Sequence, residues 1–76
     1  MDDALNVISI LIAHGCQTGV AVPVDLARDW LADAGLDDDE IIHGIADAVV
    51  NDWLRNDMGT IQITARGAIA AKRARH

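Results

Sequence analysis

The chain has 76 residues, 51% of them hydrophobic, with a net charge of −6 at neutral pH. That length holds a single domain of marginal stability, since a fold this small buries only about 60% of its unfolded surface. The acidity disfavours generic attraction to DNA, RNA or anionic membranes, whose phosphates recruit basic surfaces.

Phe and Tyr are absent, so the core has to be built from Ala, Val, Ile and Leu around Trp30 and Trp53. Cys16 is the only cysteine, which rules out an internal disulfide and fits a reducing compartment. Asp2 and Asp3 stand where a signal peptide would be basic, and the apolar run Val7 to Ala13 is far shorter than the ~20 residues that span a bilayer. The expectation is a soluble, cytoplasmic protein without a membrane partner. All twelve acidic residues and two basic ones lie in residues 1–57, while residues 58–76 hold Arg66, Lys72, Arg73 and Arg75 and no acid.

In chain order, residues 3–14 read as a first helix, with Asp2 and Asp3 suited to its N-terminus and Leu5, Ile8, Leu11 and Ile12 forming a stripe. Val7 and Ile10 widen that stripe almost all round, so this helix is either central or part of a dimer interface; a strand stays open as the alternative. Gly15 to Gly19 break the pattern, Val20 to Val22 suit a short strand, and Pro23 fits the first position of a second helix. There Leu26, Ala27, Trp30, Leu31 and Ala34 make the inner face, and Gly35 with Leu36 suits a Schellman stop.

Asp37 and Glu40 have capping-box spacing, which starts a third helix at Asp38 and ends it near Val50 or Asn51. Ile41, Ile42, Ile45, Val49 and Val50 are its expected buried face. Trp53 to Arg55, a turn over residues 56–59, and Thr60 to Thr64 read as a hairpin, with Ile61 and Ile63 inward. Whether residues 51–57 extend the third helix or begin the hairpin stays open. From Ala65 a final helix follows, with Ala65, Ala68 and Ile69 inward.

This order, and the run Gly59-Thr60-Ile61-Gln62-Ile63-Thr64-Ala65-Arg66-Gly67 after Trp53-Leu54, resembles the winged helix-turn-helix of small prophage or mobile-element regulators. There a strand leads through a Leu/Ile-Thr-x-x-Gly step into the last helix. The resemblance implies a mainly α fold with three helices, a wing hairpin and a C-terminal helix, in one domain over residues 1–76. It also implies that residues 38–50 match the recognition helix and residues 56–59 the wing tip. Two departures stand out: Ala27 and Gly35 are eight apart rather than four, and the implied recognition helix has no Arg or Lys. Base reading relies mostly on Arg, Lys, Asn and Gln, and phosphates repel carboxylates.

No catalytic triad, phosphate loop or closed metal-ligand set can be assembled, so neither an enzyme nor a cofactor or metal site is expected. Asp39, Glu40, His43 and Asp47 read as a solvated acidic face with an incidental His, His14 as a helix-end residue and Cys16 as packing. The leading expectation is a non-enzymatic module that binds a protein with a basic, nucleic-acid-binding surface. Asp29, Asp33, Asp38, Asp39, Glu40, His43 and Asp47 would carry the contact. In size and charge the chain is similar to small acidic phage and mobile-element inhibitors, anti-CRISPR proteins among them. The alternative is a dimeric DNA-binding regulator using the wing and tail (Arg55, Gln62, Arg66, Lys72, Arg73 and Arg75), with the first helix as the homodimer contact.

Overall fold

The structure is a computed structural model that describes residues 3–74, so Asp2 and Arg75 lie outside the described residues. Four helices and a three-stranded antiparallel sheet follow in the order α1 (Asp3–Ala13), β1 (Val22–Pro23), α2 (Val24–Asp33), α3 (Asp38–Val50), β2 (Leu54–Asp57), β3 (Thr60–Ile63) and α4 (Ala65–Ala74). The sheet order is β1-β3-β2. The fold is mainly helical and winged-helix-like, as the element order implied.

α1 is the central element, in contact with α2, α3 and α4, and no residue from Asp3 to Ile12 is exposed. Much of its broad apolar girth is thus packed within the chain, with Leu5, Ile10 and Ile12 half-buried. Ala4, Val7, Ile8 and Leu11 join Ala27, Leu31, Ile41, Ala48, Leu54, Ile61, Ile63 and Ala71 in one core.

Two helical glycines set how closely the layers approach. A Cβ on Gly44 of α3 would lie 2.6 Å from Val7 Cγ2 and 2.9 Å from the Asp3 carbonyl oxygen. A Cβ on Gly67 of α4 would collide with the Trp53 carbonyl. Small residues therefore occupy the closest contacts, and several larger aliphatics are turned aside. In α3 the inner residues are Ile41, Gly44 and Ala48, with Ile45 half-buried, whereas Ile42, Val49 and Val50 are exposed. In α4 they are Gly67 and Ala71, while Ala65 and Ile69 face out. Both inner faces differ from the periodicity-based expectation for this reason. In α2, Ala27 and Leu31 are buried, Trp30 is half-buried, and Leu26 and Ala34 are exposed.

Three helices end by one device. Gly15 N–H donates to Ile12 and Cys16 N–H to Leu11; Gly35 N–H donates to Ala32 and Leu36 N–H to Leu31; Asp52 N–H donates to Val49 and Trp53 N–H to Ala48. Each pair is the double hydrogen bond of a Schellman motif, which requires a left-handed residue at its pivot. Gly15 and Gly35 meet that need freely, but the third pivot is Asp52 at φ 61°. The capping box opens α3 as its spacing dictates: Glu40 N–H donates to Asp37 Oδ1 at 2.8 Å and Asp37 N–H to Glu40 Oε1 at 3.1 Å.

Pro23 stands one step outside its expected place. It caps α2 in extended conformation and pairs with Thr60, and Val24 N–H donates to the Gly59 carbonyl. The wing is tighter than expected, because Asn56 and Asp57 pair with Ile61 and Thr60 in the β2–β3 ladder. The turn is Met58-Gly59 alone, with φ 47° and 81°, the positive pair of a type I′ hairpin. Thr64 then joins wing to α4: its hydroxyl donates to the Asp52 carbonyl and accepts from Gly67 N–H at 3.1 Å, while its N–H donates to the Trp53 carbonyl. The Thr-x-x-Gly step is a helix cap whose glycine admits the Trp53 backbone.

Gly67→Ala is expected to destabilise the fold by about 3 kcal/mol, because the obstacle is backbone. Gly44→Ala is expected to lose less, about 2 kcal/mol, since its nearest obstacle is the Val7 side chain and the Asp3 carbonyl stands farther off than the Trp53 carbonyl does at Gly67. Urea denaturation of the two variants checks the ranking. Asp52→Gly is expected to stabilise by about 1 kcal/mol through relief of the left-handed pivot, read as a higher urea midpoint.

Candidate functional site: the outer face of the second and third helices

The outer surface of α3 is divided lengthwise. Along one flank run Asp39, His43 and Asp47 at four-residue spacing, all exposed. Along the other run Ile42, Ala46 and Val49, with Ile45 beside them, and Ile42 is 52% exposed. Val50, near the helix end, is 83% exposed. Acidic residues at the N-terminal turn (Asp38, Asp39 and Glu40) also complement the helix dipole.

The aliphatic flank forms the floor of an open groove of about 380 Å³, bounded by Arg28 of α2 and Asn56 of the wing. A second hollow of about 320 Å³ adjoins it, sharing Arg28 and Ile41 and lined by Asp25, Asp29, Ala32 and Asp38. The α2–α3 surface is thus an apolar trough with an acidic end. Arg28 is its single base.

The residues expected to contact a partner separate accordingly. Asp29 and Asp38 face one hollow across α2 and α3. Asp39, His43 and Asp47 share the opposite flank of α3, and Asp33 is exposed near the end of α2. Glu40 is half-buried and engaged in the capping box, so its carboxylate is committed to the Asp37 amide. Among the described residues no three His, Cys, Asp or Glu side chains converge to hold a metal ion.

The basic residues of the alternative reading are spread over several surfaces. Arg55 and Gln62 are cross-strand partners on the wing and line a hollow with Thr18, Asp52 and Thr64. Arg66 and Arg73 border an apolar hollow of about 530 Å³ between α1 and α4, lined also by Leu5 and Trp53 and, at its α4 edge, by the exposed Ile69. Lys72 lies on another side with Ile12, Cys16 and Gln17. Arg66 Nε stands 3.9 Å from Asp52 Oδ2, and both side chains are largely exposed, so this pair is loose.

Sequence reasoning missed two features. The exposed aliphatics of α3 escaped it because they continue the helical stripe, and nothing in periodicity marks which part of a wide stripe faces inward. The stack of His14 on Trp30, with centroids 4.9 Å apart and planes 6° from parallel, joins the end of α1 to α2. No local signal joins residues sixteen positions apart.

Burial pushes the Cys16 thiol above its ordinary range. A raised folded-state value means that the thiol's contribution to stability is present below the ordinary thiol range and is lost as pH rises through the folded value. Iodoacetamide is expected to alkylate Cys16 more slowly in the native protein than in urea near pH 8, with the difference narrowing at higher pH; equal rates would contradict the packed placement.

Comparison of the chain with protein-family models, curated proteins and solved structures gave no match in any of the three.

Proposed function

We propose that this chain is a non-enzymatic, winged-helix-like protein-binding module that engages a basic, nucleic-acid-binding surface of a partner, as an inhibitor or adaptor of phage or mobile-element type would. The observation that carries this reading is the outer face of α3. At the place where a winged helix would present Arg and Lys to a DNA groove, this helix presents Asp39, His43 and Asp47 beside exposed Ile42, Val49 and Val50. Carboxylates there repel phosphate, and aliphatic side chains in water gain from contact with protein. The absence of aromatic anchors on this face points to recognition led by charge, with fast, salt-sensitive association.

The wing supports a second reading. Arg55 and Gln62 sit side by side across β2 and β3, where a regulator would touch a phosphate or a base edge. Arg66, Lys72 and Arg73 open on other hollows, so a duplex on the wing would not meet them all at once.

Asp39→Lys with Asp47→Lys is expected to weaken capture of the protein partner from a host extract on the order of tenfold or more. A labelled DNA duplex is expected to show no saturable binding to the unaltered protein. DNA affinity that falls steeply with salt and disappears in Arg55→Gln/Arg66→Gln/Arg73→Gln would overturn the proposal in favour of the regulator.

A further inference from the structure

The outer face of α4 is the charge complement of the α2–α3 trough. Ile69 is 51% exposed at its middle, with Arg66 and Arg73 beside it on one hollow and Lys72 on the next. The inward residues Gly67 and Ala71 are held by the collision-limited seat on the Trp53 backbone. This rotation gives α4 an exposed apolar knob beside two bases, on a surface that shares no residue with the acidic trough. From Arg66 to Arg73 is seven residues, about 10 Å of helix, and from Ile42 to Val49 is the same. The trough matches the knob in kind as well: an aliphatic floor of Ile42, Ile45 and Val49, with Asp25, Asp29 and Asp38 at its end.

We propose that a second copy of this chain is an occupant of the α2–α3 trough, inserting Ile69 of its α4 against Ile42 and Val49 while Arg66 and Arg73 meet the acids of α2 and α3. This rests on the reading of that trough as a docking surface and names one of its partners. The two contacting surfaces are different, so the contact is head-to-tail: each bound copy keeps a free trough or a free α4, and association extends with concentration instead of stopping at a symmetric dimer. The contact is small. A standard interface would require about 800 Å² from each copy, a large share of the 4755 Å² accessible surface, and one helix ridge supplies less. Association is accordingly weak and concentration-dependent. It also competes with a basic protein partner for the same trough, so partner binding would disperse the assembly.

Sedimentation velocity on the whole chain from micromolar to millimolar concentration tests this, with folding of each variant checked by circular dichroism. The expected result is a weight-average mass that rises with concentration and falls with added salt. Arg66→Glu/Arg73→Glu and Asp29→Lys/Ile42→Ser should each stay monomeric alone. An equimolar mixture of the two should form a one-to-one complex and nothing larger, because only one intact trough and one intact α4 remain. The milder Arg66→Gln/Arg73→Gln should lie between wild type and the charge-reversed variant. A wild-type chain that stays monomeric throughout would overturn self-docking, as would variants that associate like wild type or a mixture that fails to pair. Amide shifts on titration with oligolysine separate the two levels. A monomer whose Ile42, Ile45 and Val49 signals move overturns self-docking alone, whereas a monomer whose trough signals stay fixed overturns the docking reading of the trough as well.

Discussion

The close seat of α3 on α1 at Gly44 is the constraint from which the rest of the molecule follows. With Val7 and the Asp3 carbonyl already within van der Waals reach of the glycine, only Gly44 and Ala48 fit at the centre of the contact, and Ile41 fills the space beside it. A chain with no Phe or Tyr makes up in closeness what it lacks in side-chain volume, because dispersion between packed atoms falls quickly with any gap. Gly67 repeats the solution at the other end, where α4 presses on the Trp53 backbone and Thr64 fixes the angle of entry. Both helices are consequently rotated so that several of their larger aliphatics point away from the core.

That rotation links packing to function. An isoleucine displaced from the inner face of α3 does not vanish into a loop; it lies beside the acids that cap and follow the helix start. The result is a surface neither purely acidic nor purely apolar. Such surfaces suit protein partners, whose side chains can satisfy carboxylates and cover methyl groups together, and they suit nucleic acid poorly. The acids that serve the fold are distinguishable from the others residue by residue: the side chains of Asp37 and Glu40 close the capping box, whereas those of Asp39 and Asp47 make no hydrogen bond or ion pair among the described residues.

Much of the architecture was legible because its signals are local. The capping box at Asp37 and Glu40, the Gly35-Leu36 stop, and the alternation of Ile61 and Ile63 each depend on a few adjacent residues whose backbone chemistry admits one solution. On the inner faces of α3 and α4, Ile41, Ile45 and Ala68 lie inward as periodicity implies, but Ile42, Val49, Val50, Ala65 and Ile69 do not, because periodicity weighs hydrophobicity and the decisive property is small size at a contact with a distant element. The wing turn was read two residues too long for a related reason: Asn56 and Asp57 look like turn residues, yet the Met58-Gly59 pair supplies both positive φ values and frees them to pair in the ladder. Of the candidate site, the acidic residues were legible and their division into two flanks was not, since that division depends on the rotation of α3.

The charge asymmetry along the chain acquires a spatial meaning from these facts. Acid gathers on α2 and α3 and base on α4, while the wing strands hold one of each, Arg55 and Asp57, and the three extents of the fold are 26, 26 and 22 Å. At physiological salt, screening acts over about 8 Å, so charges on opposite sides of the fold interact weakly within one copy. The single described ion pair, Arg66 with Asp52, is loose and lies near the boundary between them. A compact chain that could have interspersed its charges for solubility instead keeps them segregated, each region beside an exposed isoleucine. Segregation of this kind has little value for the isolated fold, where it leaves like charges adjacent; under the proposed function its use is in meeting a surface of opposite sign, on another protein or on another copy of itself.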